Sequence, residues 1–245
     1  MSVRGRTAVV TGASTGIGRE IALALAAEGA RVGLVARSVS GLEETVRLSG
    51  TSTVLSFPGD LRKEQEIARV GESVLTTFGD VDVLVNAAGS WHDDHESYRG
   101  PLLANTPAQQ VKEVVEVGLL ASMLLSRILM PGMITRRSGK ILQIACGFAG
   151  PQEAVGWLHY YVTNKSIEAF TLGLAAEVRQ YEIQVNCIAP WFVATEPVLR
   201  FFPDDSKTAL DPKDVARLAK YLVSDAADHI SGQVIEMRSK RDYGI

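Results

Sequence analysis

The chain has little of what most specialised classes of protein are built from. Two cysteines, Cys146 and Cys187, are too few for a disulfide scaffold or a thiolate metal site, and they fit a reducing, cytoplasmic setting. Charge of neither sign dominates: 25 basic against 28 acidic residues give a formal net charge of -3 and no basic footprint for nucleic acid. Long hydrophobic runs are missing as well. The most apolar region, 111–134, is broken by Lys112, Glu113, Glu116, Arg127 and Pro131, which makes it a poor membrane span and a better buried helix. Residues 1–6 lead straight into a strand-like segment, without the charged and apolar stretches of a signal peptide. No repeat, low-complexity tract or linker divides the 245 residues, so 1–245 reads as a single domain with a sizeable core. With these classes set aside, a small molecule is the expected partner, with no nucleic acid and no membrane.

What is present is a regular alternation. Apolar, β-branched runs at 7–11, 31–36, 53–57, 81–86, 140–145, 182–188 and 233–237 read as seven strands. Between them, 17–28, 41–48, 63–78, 106–134, 160–180 and 212–224 carry helical spacing. Thr106-Pro107 and Asp211-Pro212 place a capping side chain before a proline, as helix starts prefer. Strands that alternate with helices predict an α/β fold: one Rossmann-like, doubly wound domain with a seven-stranded parallel sheet and helices on both faces. Ligands of such folds bind at the carboxyl ends of the strands.

Two short patterns sit at those ends. Gly12, Gly16 and Gly18 follow the first strand and open the first helix. Without side chains they permit a tight turn, a close approach of backbone N–H groups to a pyrophosphate, and close helix–strand packing. Downstream, Tyr161 and Lys165 stand four apart on a predicted helix, so a phenol and an ammonium share one of its faces. A free phenol has a pKa near ~10 and needs a nearby cation to exchange protons close to neutral pH. A dinucleotide turn together with such a pair reads as a hydride-transfer site.

The spacing Thr11-Gly12-x-x-x-Gly16-Ile17-Gly18 resembles the short-chain dehydrogenase/reductase family, and other marks stand in the same order. They are Asp60-Leu61, Asn86-Ala87-Ala88-Gly89, Tyr161 with Lys165, and Asn186-Cys187-Ile188-Ala189-Pro190. The resemblance implies that Gly12, Ser14, Thr15, Gly16, Ile17 and Gly18 cradle the phosphates and ribose. It assigns Asp60 and Leu61 to the adenine and Asn86 and Ala87 to the adjoining ribose. Pro190, Val193 and Thr195 fall to the nicotinamide end, Lys165 to its ribose, and Tyr161 to the role of general acid or base. It also implies a carbonyl or alcohol substrate, of the 3-oxoacyl or another ketone type, and a homodimer or homotetramer built on the long helices. The choice of nicotinamide rests on charge. An acid at the end of the second strand would bind a free ribose 2′-OH and repel a 2′-phosphate. Here Ala36-Arg37-Ser38 offers a cation and no carboxylate before Glu43, which favours NADP(H) over NAD(H), with Arg37 and Ser14 as phosphate contacts.

Two positions depart from the family's pattern. Cys146 falls where a Ser usually bonds the substrate oxygen, and Gly118 where an Asn usually holds a relay water. A thiol is the weaker donor. Losing one donor to a developing oxyanion costs about 10² to 10³ in rate. These departures motivate the alternative of a dinucleotide-binding protein with little redox turnover, or a non-redox offshoot like the family's halohydrin dehalogenases. His92, Asp93, Asp94 and His95 form a polar loop read as solvated surface, with no metal expected. Trp157, His159 and Tyr160 are expected to border the substrate, and Trp191 to narrow or cover the nicotinamide end.

Overall fold

The computed structural model describes residues 2–100, 102–148, 150–204 and 209–239. Seven strands form one parallel sheet in the order β3-β2-β1-β4-β5-β6-β7. They are β1 (Thr7–Thr11), β2 (Arg31–Ala36), β3 (Val54–Pro58), β4 (Val83–Asn86), β5 (Gly139–Ile144), β6 (Ile183–Pro190) and β7 (Gln233–Met237). The sheet reverses its order between β1 and β4, and the crevice of a doubly wound fold opens at that point. The central strands are buried along nearly their whole length, because helices cover both faces of a parallel sheet.

The helices are α1 (Gly16–Ala27), α2 (Val39–Ser49), α3 (Glu64–Phe78), α4 (Ala108–Val115), α5 (Ala121–Arg136), α6 (Leu158–Val178), α7 (Glu196–Phe201) and α8 (Pro212–Leu222). One apolar core, with Ile21, Leu25, Val215 and Leu222, lies under α1 and α8. A second, with Leu125, Leu129, Met133, Leu174 and Val178, lies under α3, α5 and α6. Asp211 caps α8 by accepting from the Lys213 N–H at 2.8 Å, with Pro212 in the first turn, as expected. Thr106 does not cap α4: that helix starts at Ala108, and the Thr106 hydroxyl donates to the Leu102 carbonyl at 3.4 Å.

The stretch expected as one helix over 106–134 is continuous but contains a π-turn, Glu116–Leu120, between α4 and α5. By length and composition, 108–136 is the one helical run among the described residues that is long and apolar enough to cross a membrane. Its inner residues Val114, Leu125, Leu129 and Met133 are packed into the protein. Helix α7 has no counterpart in the sequence reading: Glu196, Pro197 and Arg200 interrupt its apolar residues, and six residues are too few to show a period.

Candidate active site

The carboxyl ends of the strands surround a cleft of about 670 Å³ that runs from the Gly-rich turn to the loops after β5 and β6. At its β1 end the turn is shaped by space as well as by φ. A Cβ on Gly12 (φ 65°) would lie 2.8 Å from the Ala87 carbonyl oxygen, and one on Gly18 would lie 2.4 Å from the Gly12 carbonyl oxygen. No side chain fits at either place. The Thr11 hydroxyl ties the turn to β4 by accepting from the Ala87 and Ala88 N–H groups, each at 3.0 Å. The free N–H groups at the start of α1 therefore face the cleft, an arrangement that favours an anion. Ser14, Thr15, Gly16 and Ile17 line it there, with Asp60, Leu61 and Ala87 beside them.

Arg37, at the end of β2, lines the same end with its side chain half exposed. Its nearest carboxylate, Glu113, is 3.9 Å away and already accepts from the Ser90 hydroxyl at 2.8 Å, so the Arg37 guanidinium keeps donors to spare. Arg62, by contrast, is bound at 2.7 Å to Asp60, and holds that carboxyl below the usual range. Asn86 points elsewhere than expected. Its side chain is buried and donates to the Ser126 hydroxyl at 3.3 Å beneath the sheet, leaving the cleft wall to the backbone after it.

At the other end α6 presents other residues to the cleft than the expected pair. Tyr161 and Lys165 do not line the cleft; Tyr160, Thr163, Asn164 and Ile167 do. Lys165 is partly buried in a pair with Glu168, 2.8 and 3.0 Å from its two carboxylate oxygens. Tyr161 lines a separate recess of about 230 Å³ with Leu103, Ala154 and Leu158, and packs edge-on against Phe148 at 5.2 Å. The reason is helical phase. Neighbouring residues are ~100° apart around a helix, and α6 turns Thr163, Asn164, Ile167, Thr171, Leu174, Ala175 and Val178 inward. Tyr160 extends that stripe, whereas Tyr161 and Lys165 lie one step off it. The i, i+3, i+4 pattern was the available signal for Tyr160 and Asn164.

Asn164, buried at 4% exposure, spends its amide on the backbone. Its Oδ1 accepts from the Cys146 N–H at 2.7 Å and its Nδ2 donates to the Tyr160 carbonyl at 2.8 Å, so it pins the loop after β5 to α6. Cys146 does reach the cleft, as expected for its place after β5. Its thiol donates to the Gly147 carbonyl at 3.6 Å and stands close to the Tyr160 phenol. Burial pushes the thiol up to about 12. Burial, with the Cys146 sulfur beside it, also holds the Tyr160 phenol well above its usual value. No ammonium stands on the inner face of α6 to oppose that.

Gly118 lies on the π-turn and lines the cleft. A Cβ there would sit 3.0 Å from Thr163 Cγ2, so the α6 threonine occupies the room that a side chain at 118 would need. Trp191 lies against Gly147, whose Cβ would fall 2.4 Å from the indole, and the Arg238 guanidinium stacks 4.1 Å from the indole centroid. The indole thus borders the cleft and is held from outside. At the start of α6, Trp157 and Tyr160 border the cleft, whereas His159 is buried beside Tyr98 and does not. The 92–95 loop is a turn, in which the Asp93 carboxylate accepts from the His95 and Glu96 N–H groups at 2.7 and 2.8 Å.

A model of the short chain dehydrogenase family matches residues 6–205. The chain belongs to that family. It is 29% identical over 247 residues to a 3-oxoacyl-(acyl-carrier-protein) reductase of Vibrio cholerae, covering 97% of each chain. Among solved structures it is similar to a 3-ketoacyl-(acyl-carrier-protein) reductase of Brucella melitensis complexed with NADH. There the TM-score is 0.89 at 27% identity, over 98% of this chain and 99% of that one. It is also similar to the L-sorbose reductase of Gluconobacter frateurii complexed with NADPH and L-sorbose. There the TM-score is 0.85 at 28% identity, over 98% of this chain and 97% of that one. Within the family the chain is an NAD(P)-dependent, ketoreductase-like oxidoreductase. Its glycine cradle and the half-exposed Arg37 guanidinium fit the phosphate half of a nicotinamide dinucleotide. The α6 face differs from the pair that the family resemblance implied, with Asn164 where an ammonium was expected.

Proposed function

We propose that this short chain dehydrogenase is an NADPH-preferring carbonyl reductase whose proton donor is Tyr160 and whose chemistry runs in the reductive direction. The supporting observation is that Tyr160 is the one titratable α6 side chain among the described residues that line the cleft. Gly12, Ser14, Thr15, Gly16, Ile17 and Gly18 would hold the pyrophosphate side of the dinucleotide, with Arg37 and Ser14 on the 2′-phosphate. Asp60, Leu61 and Ala87 would border the adenosine, and Pro190, Val193 and Thr195 the nicotinamide. The bound nicotinamide supplies the reducing electron pair.

The state of the phenol suits the donating half of the reaction. Tyr160 is protonated at all physiological pH values, because burial holds its pKa well above the ordinary value. A protonated phenol can donate to a carbonyl oxygen as negative charge develops there. The reverse reaction needs the phenolate, which a group of pKa above ~10 supplies in fewer than about one molecule in 10³ at pH 7. Cys146, beside Tyr160, directs its thiol to the Gly147 carbonyl and is itself a poor oxyanion donor.

A second reading, dinucleotide binding with little turnover, is favoured by Asn164, whose amide is committed to the backbone. Two measurements on one preparation separate the readings: NADPH binding by fluorescence, and NADPH oxidation across a panel of ketones. Binding with oxidation that Tyr160→Phe abolishes supports the reductase. Binding with no oxidation by any ketone refutes it and leaves the binding protein.

The assembly belongs to the same proposal. Leu120 and Met123 of the 108–136 helical run, with Val162 and Leu172 of α6, are exposed apolar side chains. We assign this face to a homodimer or homotetramer in the cytoplasm.

A further inference from the structure

We infer that the carbonyl substrate is carried on a planar, fused or aromatic ring, in preference to a flexible acyl chain; this rests on the reductase reading above. All three tryptophans of the chain line the cleft. Trp91, Trp157 and Phe202 form a triangle beyond the phosphate end, with centroid distances of 6.3, 6.1 and 5.9 Å. They come from three separate segments: the loop after β4, the start of α6 and the chain after α7. The triangle joins the proposed proton donor directly, since Trp157 lies 5.7 Å from the Tyr160 ring at an interplanar angle of 51°.

These rings are only partly covered. A cluster that served the core alone would be sealed like Leu125 or Val178, at 0 and 1% exposure. Partly covered aromatic rings on a cavity wall gain most from a ligand that can lie offset or edge-on against them. A linear chain buries area there but offers no ring to stack.

Charge narrows the class. Aromatic faces also attract cations, but this cage already has its own: the Arg99 guanidinium, which lines the cleft, lies 5.8 Å from the Phe202 centroid. A second guanidinium, that of Arg200, lies 5.0 Å from the neighbouring Phe201 ring. At the Phe202 and Phe201 rings a cationic ligand would meet like charge, whereas a neutral or anionic ring would not. The carbonyl belongs on the ring or next to it, because the cage and the Tyr160 phenol are adjacent. Aryl ketones and fused-ring ketones satisfy these conditions.

The test is calorimetric titration of the full chain, saturated with NADP⁺ so that no turnover consumes the titrant, using 1-acetonaphthone and a linear probe, the N-acetylcysteamine thioester of acetoacetate, with NADPH oxidation by each probe followed separately. The naphthyl ketone is expected to bind about tenfold tighter than the thioester, and Trp157→Ala or Trp91→Ala to erase about tenfold of its affinity. Neither substitution is expected to change NADPH affinity, which reports that the variants are folded. Equal affinities for the two probes in the wild-type chain overturn the inference, as does tighter binding of the thioester. Tight naphthyl binding without NADPH oxidation supports the ring-binding cage and refutes the reductase reading, so the two failures are distinguishable.

Discussion

Asn164→Lys places an ammonium on the inner face of α6, where none stands now. An ammonium about 5 Å from the Tyr160 oxygen, at an effective dielectric of about 20, is worth roughly 3 kcal/mol. That amount is about two pKa units, directed downward because a cation favours the phenolate. The substitution also removes the acceptor of the Cys146 N–H at 2.7 Å and the donor to the Tyr160 carbonyl at 2.8 Å. Leaving such groups unpaired costs about 1–3 kcal/mol each, so the melting temperature falls by several degrees, at about 2–4 °C per kcal/mol for a chain of this size. The assay is the rate of NADP⁺ reduction with the secondary alcohol of the best ketone, measured against pH and paired with a thermal melt. The wild-type chain is expected to gain oxidative rate only in strongly alkaline buffer. The variant gains it about two pH units lower, with a rise on the order of 10²-fold near neutrality. A variant that melts cooperatively but keeps the wild-type pH limb refutes the placement of Tyr160 as the proton-exchanging group.

Tyr160→Phe removes the proposed acid and lowers kcat for ketone reduction by about 10² to 10⁴. Tyr161→Phe and Lys165→Ala leave it close to wild type, since both side chains lie outside the cleft; the opposite order in steady-state kinetics would restore the outward pair. Arg37→Ala weakens NADPH about tenfold or more by direct titration, the worth of a charge-assisted contact, and leaves NADH nearly unchanged. Equal losses for both would remove Arg37 from the 2′-phosphate. Stability falls as pH rises from 9 towards 12, because Cys146 and Cys187 are held protonated to about 12 in the folded chain while the same thiols ionise near 9 when unfolded. A melting temperature that does not fall over that window, or that falls equally in Cys146→Ala, would contradict the burial assigned to that thiol.

The sheet was legible because its evidence is local. β1, β2 and β7 begin and end where β-branched runs meet turn residues, and the remaining strands move by one or two residues, since a parallel strand ends where its neighbour stops offering hydrogen bonds. Gly12 and Gly18 were legible for a related reason: a strand, a glycine turn and a helix in sequence form one local unit whose ligand is its own backbone. Helix α7 and the π-turn at 116–120 were not, because neither has a period of its own; contacts with the rest of the fold hold both.

The site divides along the same line. Residue type and spacing alone placed a phenol on the helix after β5 near the mouth of the strands, and a thiol and a glycine on the same cleft. Which of two neighbouring phenols lines that cleft is a matter of tertiary structure. Tyr160 and Tyr161 are chemically identical and adjacent, and Tyr161-x-x-x-Lys165 satisfies the motif that Tyr160-x-x-x-Asn164 breaks. The choice is made by the rotation of α6 about its axis, which is set by burying Ile167, Leu174 and Val178 against the sheet. A step of ~100° along a helix carries a side chain from cleft to surface. Packing many apolar residues fixes that rotation more strongly than one ion pair can, so Lys165 is left outside beside Glu168 and Asn164 takes the inner position.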